Sequence, residues 1–166
     1  MDIKKFWEII DNARKEDGEW EKMCKDLIKI LAKLEISEIM IWRKIFDEYQ
    51  KLSYKKKLWA AAYLINSGCS DDAFDYFRAW LIAQGKTIFM KALHDPDALA
   101  EAESVNEELE IYIGCDMFGI TADAYFRKSG IKDSKIKDSN WHSYNNELEK
   151  YSITDELKKE MISEID

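Results

Sequence analysis

The residues with the clearest capacity for chemistry lie near the middle of the chain, where three aspartates precede an arginine. At about 100° per residue, a helix would place Asp71, Asp75 and Arg78 on one stripe. Asp72 would lie at the edge of that stripe. Carboxylates beside an arginine can bind a cation or a polar ligand, and crowding can raise the pKa of one acid towards general acid–base use. The alternative is an acidic helix start with a weak surface ion pair between Asp75 and Arg78.

A second acidic group surrounds the single proline of the chain, with Asp95 before Pro96 and Asp97 after it. If the sixth helix folds back on the fifth at Gly85, this group can meet the first one. We therefore predict one polar, ligand-binding concavity. Its predicted residues are Asp71, Asp72, Asp75, Arg78, Asp95 and Asp97.

Other familiar catalytic and cofactor signals are missing from the sequence. The two histidines, His94 and His142, are accompanied by no CxxC or HExxH spacing, so we predict neither a metal nor a cofactor. The patterns GxSxG, GxGxxG and GxxxxGK[ST] are also absent. Cys69 precedes a predicted helix start, which could lower the pKa of its thiol, but a buried inert thiol is the commoner state.

The elements that must position these residues are predicted to be helices. One proline and six glycines are too few for the turns of an all-β fold. Apolar residues recur at steps of three and four from Trp20 to Leu34, and Leu58 to Ile65 is apolar all round, which predicts the centre of a bundle. The predicted core comprises Trp20, Leu27, Leu31, Trp42, Phe46, Trp59, Leu64, Phe77, Trp80 and Leu81.

Capping residues place the predicted helix boundaries. Ser37, Ser53 and Ser70 are each suited to begin a helix, and Gly85 is suited to end one. Residues 110–113 are compatible with a short strand, although we favour a kinked or broken helix there. Residues 131–140 are polar and predict a mobile linker.

The predicted fold class is a single-domain, all-α, compact multi-helix bundle. The chain has 166 residues, of which 46% are hydrophobic, so it can form one continuous core. We place the helical domain at residues 1–130. Residues 131–166 then supply the linker and C-terminal helices packed on or beside it.

Composition favours a cytoplasmic location without a membrane span. Three cysteines are too few for a disulfide framework, and their odd number leaves at least one thiol unpaired. The first eight residues carry charges where a signal peptide needs an apolar run. The longest uncharged run, Leu58 to Ser70, is shorter than the roughly 18 residues that a membrane helix needs.

The negative charge of the chain is concentrated in one segment. The net charge is −8, yet Ala92 to Phe126 contains nine acids and no lysine or arginine, leaving 24 acids and 25 bases elsewhere. Such a segment repels a phosphate backbone and attracts a basic protein. We therefore predict no nucleic-acid binding and a basic protein partner for this segment. The alternative is a solvated acidic face that aids solubility.

The stretch SDDAFDYFRAWLIAQG at residues 70–85 supplies the most specific motif, SDD-x-F-x-x-FR-x-WLI-x-x-G. Together with FWEII at 6–10, LWAA at 58–61 and DPDALA at 95–100, it resembles the bacterial family of domain of unknown function 4240. The resemblance covers about residues 3–128. It implies a bacterial helical domain and no established reaction, so no functional residue is transferred to this chain.

Two functions therefore stay open at the level of sequence. The leading prediction is a small cytoplasmic binding or regulatory module, for example an immunity-type or antitoxin-like protein. The alternative is an enzyme that acts on a small polar or phosphorylated molecule at the Asp/Arg-lined site. A cleft with a perturbed pKa would favour the enzyme, and a flat acidic face would favour the binding module.

Overall fold

The computed structural model describes residues 1–14, 20–101, 116–132 and 136–165. Within these ranges every regular element is a helix, which confirms the predicted all-α, single-domain fold. The helices are α1 (Ile3–Ala13), α2 (Trp20–Leu31), α3 (Ile36–Leu52), α4 (Lys56–Ile65), α5 (Asp71–Ala83), α6 (Lys86–His94), a 3-10 helix (Pro96–Glu101), α7 (Ile120–Lys128), α8 (Asp138–Leu148) and α9 (Asp155–Ile165).

Aromatic side chains from α1, α3 and α6 fill the centre of the main core. The ring centroids of Phe6 and Trp42 lie 5.0 Å apart, and those of Trp7 and Tyr49 lie 4.9 Å apart. Phe89 of α6 contacts the same group, with its ring 5.4 Å from that of Tyr49. Such aromatic pairs add to the free energy of apolar burial. The predicted core is confirmed at Trp20, Leu27, Leu31, Trp42, Phe46, Phe77, Trp80 and Leu81.

The prediction that α4 forms the centre of the bundle is wrong. Along α4 the fully buried residues are Leu58 and Ala62, whereas Tyr63 is 56% exposed and Leu64 is 79% exposed. Trp59, also predicted as core, is half-buried. Because α4 packs on α5 and on the 3-10 helix, its buried side is the one that faces them. An all-round apolar run cannot indicate which side that will be.

The helix start predicted at Ser70 is confirmed, whereas those predicted at Ser53 and Ser37 are wrong. Ser70 begins α5 as expected, with its hydroxyl accepting a hydrogen bond from the backbone N–H of Ala73 at 3.2 Å. Ser53 instead follows the end of α3 and donates to the carbonyl of Gln50. Ser37 lies inside α3, whose N-cap is Glu35.

Gly85 connects α5 to α6 in a backbone conformation that favours glycine. It follows the C-cap of α5, Gln84, and its φ of +88° is one that residues with a Cβ rarely adopt. The two helices pack against each other, as the predicted hairpin requires.

The C-terminal helix α9 packs on α3 and α6. Met161 and Ile165 are buried in this contact. A polar network lies beside them: the Tyr49 hydroxyl accepts from Trp7 Nε1 at 3.2 Å and donates to Glu164 Oε2 at 3.0 Å, while Lys86 Nζ donates to Glu164 Oε1 at 2.7 Å. The network fixes the position of α9 on the core.

The second half of the chain was predicted to contain a linker followed by C-terminal helices. Helix α8 begins at Asp138, so residues 138–140 of the predicted linker over residues 131–140 are helical. The alternative strand at residues 110–113 lies outside the described residues. The domain boundary at residue 130 stays a prediction.

The cysteines differ in chemical state. Cys24 is disulfide-bonded, whereas Cys69 is a half-buried free thiol whose pKa is raised by burial, as expected for an inert cysteine. Disulfides are rare in a reducing cytoplasm. The cysteines therefore do not add support to the predicted cytoplasmic location, which stays a prediction.

Across the described ranges, no helix combines the length and apolar character needed to cross a membrane.

Candidate functional site

Arg78 is buried, although it was predicted to line an open ligand site. Its side chain is only 5% exposed. Nε donates to the carbonyl of Phe74 at 3.3 Å, and the two terminal nitrogens donate to the carbonyl of Gln50 and to Asp75 Oδ1. The guanidinium thus uses N–H groups on all three nitrogens to join the end of α3 to the first turns of α5.

Two aromatic rings enclose the same guanidinium. Its central carbon lies 4.7 Å from the ring centroid of Phe74 and 4.8 Å from that of Tyr54. At these distances both rings attract the cation. Desolvation lowers the pKa of Arg78, and the charge of Asp75 acts in the opposite direction. An arginine nevertheless stays charged in a protein, so these contacts replace the water lost on burial.

Asp71, the other acid predicted to share a stripe with Arg78, is hydrogen-bonded to a tyrosine. Tyr54 donates its hydroxyl to Asp71 Oδ1 at 2.9 Å, and this hydrogen bond raises the pKa of the tyrosine. We call Tyr54, Asp71, Phe74, Asp75 and Arg78 the Arg78 cluster. The predicted proximity of Asp71, Asp75 and Arg78 is therefore observed, but their contacts are made mainly within the chain.

The other predicted site residues are exposed and lie elsewhere on the helices. Asp72 is in the first turn of α5, Asp95 follows α6, and Asp97 is in the 3-10 helix. Within the part of the chain that the structure describes, no hydrogen bond or ion pair joins Asp95 or Asp97 to the Arg78 cluster. Their meeting in one concavity stays a prediction. Among the described residues, no group of three or more histidine, cysteine or acidic side chains could hold a metal ion.

The structure contains an exposed apolar surface that the sequence interpretation missed. Five side chains of α4 line a shallow cavity of about 430 Å³. We call them the α4 face: Lys56, Trp59, Ala60, Tyr63 and Leu64. These residues recur at steps of three and four in the sequence. Because the opposite side of the same helix is also apolar, the pattern did not identify them as an exposed surface.

Trp59 is held firmly within the α4 face. Its indole stacks on Phe74 with the ring centroids 5.0 Å apart and an interplanar angle of 12°. Nε1 donates to the carbonyl of Cys69 at 3.0 Å. Because Phe74 also contacts Arg78, the Arg78 cluster supports this surface from behind.

A second cavity, of about 490 Å³, lies between α2, α7 and α8. Charged residues from α2 and from the α7 region line it, among them Glu21, Lys25, Asp116 and Asp123, together with Trp141. Asp116 and Asp123 belong to the acidic segment of residues 92–126. Residues 102–115 of that segment, including Glu103, Glu107, Glu108 and Glu110, lie outside the described residues.

The fold thus defines a compact helical domain with a cluster around the buried Arg78 and an apolar helix face. A family model described as "Protein of unknown function (DUF4240)" matches residues 1–128, and the chain belongs to that family. This match confirms the resemblance inferred from the sequence motifs. No curated protein and no solved structure matches the chain.

Proposed function

We propose that the protein is a small binding or regulatory module that docks to another protein through the α4 face. The observation that carries the proposal is the exposure of adjacent aromatic and aliphatic side chains, 56% for Tyr63 and 79% for Leu64. Single exposed apolar residues are ordinary, but a contiguous apolar surface is typical of an interaction site.

The composition of the α4 face fits protein recognition. Trp59 and Tyr63 are aromatic, and aromatic residues are enriched among those that dominate binding energy. Since Trp59 is already fixed by Phe74 and by the Cys69 carbonyl, little conformational entropy would be lost there on binding. Lys56 can cover apolar surface with its aliphatic stem while its ammonium stays in water.

The internal contacts of the Arg78 cluster support a structural role for the predicted polar site. Arg78 is paired with Asp75 and two backbone carbonyls, and Tyr54 is paired with Asp71. In our proposal these residues hold the start of α5 against Trp59. The cluster then contributes to binding by keeping the α4 face rigid.

Photocrosslinking from the α4 face tests the proposal. A photoreactive phenylalanine analogue would replace Leu64 in the native host, and the same analogue would replace the exposed Lys159 of α9 as a control. We expect protein adducts from position 64 and far fewer from position 159. Equal yields from both positions, or none from position 64, would contradict docking at this face.

We also propose the acidic segment of residues 92–126 as a second surface, for a basic partner. Among its described acids, Asp95, Asp97 and Asp116 are exposed and Asp123 is half-buried. Exposed charges are screened beyond about 10 Å at 0.1 M salt, so such an association should weaken as salt rises. A pull-down from the native host at low and high salt tests this, with Asp95 and Asp97 changed to Asn as the variant. An unchanged yield in the variant would argue against the surface.

A further inference from the structure

We propose that a second copy of this chain occupies the α4 face, through an antiparallel pairing of the two α4 helices about a two-fold axis near Ala60. The inference rests on the proposed function, in that it names the protein bound at the same face. Two features support it: the order of the residues along the stripe and the charges at the two ends of the helix.

The order of the residues is self-complementary. Ala60 lies at the middle of the stripe, with Lys56 and Trp59 on its N-terminal side and Tyr63 and Leu64 on its C-terminal side. In an antiparallel pair centred on Ala60, position 64 of one copy faces position 56 of the other. Leu64 of one copy then packs on the aliphatic stem of Lys56 in the other copy. The ammonium of that lysine lies near Tyr63. The small side chain of Ala60 lets the two backbones approach closely.

The charges of α4 are unfavourable in a single copy. Lys55, the N-cap, precedes Lys56 and Lys57, so three cations stand at the positive end of the helix dipole. The first turn contains no acid and the last turn contains no base. An antiparallel copy brings these lysines beside the negative end of the other helix. The same pairing therefore improves the electrostatics at both ends.

The expected contact is small. A ten-residue helix is about 15 Å long, so the pairing falls at the lower end of interface sizes, under about 1,200 Å². We therefore expect a reversible dimer whose population depends on protein concentration. Each copy carries a net charge of −8, which further limits the affinity.

Sedimentation velocity over a wide range of concentration tests the pairing with the purified full chain. We expect reversible dimers from the wild type and dimerisation weakened by at least about tenfold in Leu64→Asp. Ile162→Asp is the matched control, since it introduces the same charge at an apolar residue that is 41% exposed on α9, the helix that packs on α3 and α6. A monomer at every concentration, or equal effects of the two variants, would overturn the proposal.

Lys56→Glu separates pairing from general surface chemistry. Within one copy this change places an acid at the positive end of α4, so thermal stability of the monomer should rise slightly. In the dimer it places an acid beside the negative end of the second helix, so dimerisation should weaken. If Lys56→Glu leaves dimerisation unchanged, the antiparallel arrangement is wrong.

The pairing of two copies and the proposed binding function can be refuted separately. Crosslinks from position 64 to a different protein, combined with a purified chain that stays monomeric, would refute the pairing and leave the proposed function in place. A lack of both crosslinks and dimers would refute the two together.

Discussion

Arg78 illustrates how a charged side chain can be buried at a tolerable free-energy cost. Burying a charge is unfavourable unless it is paired and hydrogen-bonded. Here one acid, two backbone carbonyls and two aromatic rings surround the guanidinium. The pairing with Asp75 could be predicted, because residues three apart share a helix face. The bond to Gln50 could not, because it depends on how α3 packs against α5.

Replacement of Arg78 tests this description. We expect Arg78→Ala to lower the free energy of unfolding by about 3 kcal/mol, since the Gln50 carbonyl keeps only the Ser53 hydroxyl as a donor and the rings lose the cation between them. Asp75→Asn should cost less than about 1 kcal/mol, because the Asp75 side chain is 50% exposed. Chemical denaturation of both variants gives the comparison. Equal costs would show that the ion pair, and not the burial of Arg78, dominates.

Gly85 allows a second test at the level of one residue. An added Cβ would lie 2.7 Å from Asp11 Oδ1, whereas at Gly130, which also has positive φ, no atom lies within 4 Å. At Gly85 the backbone has φ +88° and ψ 166°, a combination that is essentially restricted to glycine and costs roughly 1 to 3 kcal/mol for another residue. We expect Gly85→Ala to be more destabilising than Gly130→Ala in thermal unfolding. The difference should shrink in an Asp11→Ala background, and an undiminished difference there would exclude the contact as one of its causes.

Individual helices differ in how much their sequences reveal. In α2, the apolar residues follow the 3.6-residue period, so the buried side was predicted correctly from Trp20 to Leu31. In α4 the apolar residues surround the helix, and the buried side is decided by contacts with α5 and the 3-10 helix. For the same reason the relation of Asp95 and Asp97 to α5 could not be read from local patterns. Tertiary packing determines both the buried side of α4 and the position of these two acids relative to α5.

The attachment of α9 leads to a prediction for Glu164. Its carboxylate accepts hydrogen bonds from Tyr49 and Lys86, so Glu164→Ala leaves the buried Tyr49 hydroxyl without an acceptor. We expect a loss of about 1 to 2 kcal/mol in the free energy of unfolding. Glu160→Ala, at an exposed position on the same helix, should be nearly silent. A comparable loss in both variants would point to helix propensity instead.

At the scale of the whole molecule, buried tyrosines make stability sensitive to alkaline pH. Burial raises the pKa of Tyr49, and the neighbouring Glu164 acts in the same direction. Burial also raises the pKa of Tyr144 in the smaller core between α7 and α8. In the unfolded chain both tyrosines would titrate near pH 10. The folded state therefore keeps protons that the unfolded state loses above that pH.

The free energy of unfolding should be insensitive to these two groups below about pH 10 and fall as the pH rises beyond it. Denaturation by urea at a series of alkaline pH values measures the decline. Tyr49→Phe should reduce the slope, although it should lower stability at neutral pH through the loss of its hydrogen bonds. If the wild type and the variant decline in parallel, Tyr49 is not a source of the pH dependence.

The bond between Tyr49 and Glu164 has a consequence for biosynthesis, since its two ends are 115 residues apart in the chain. A ribosome adds about 5 to 20 residues per second, so roughly 6 to 23 seconds separate the appearance of the two side chains. During that interval α9 cannot yet cover the surface of α3 on which it packs in the folded chain. The nascent chain can assemble its earlier helices, but the core closes only after α9 has left the ribosome.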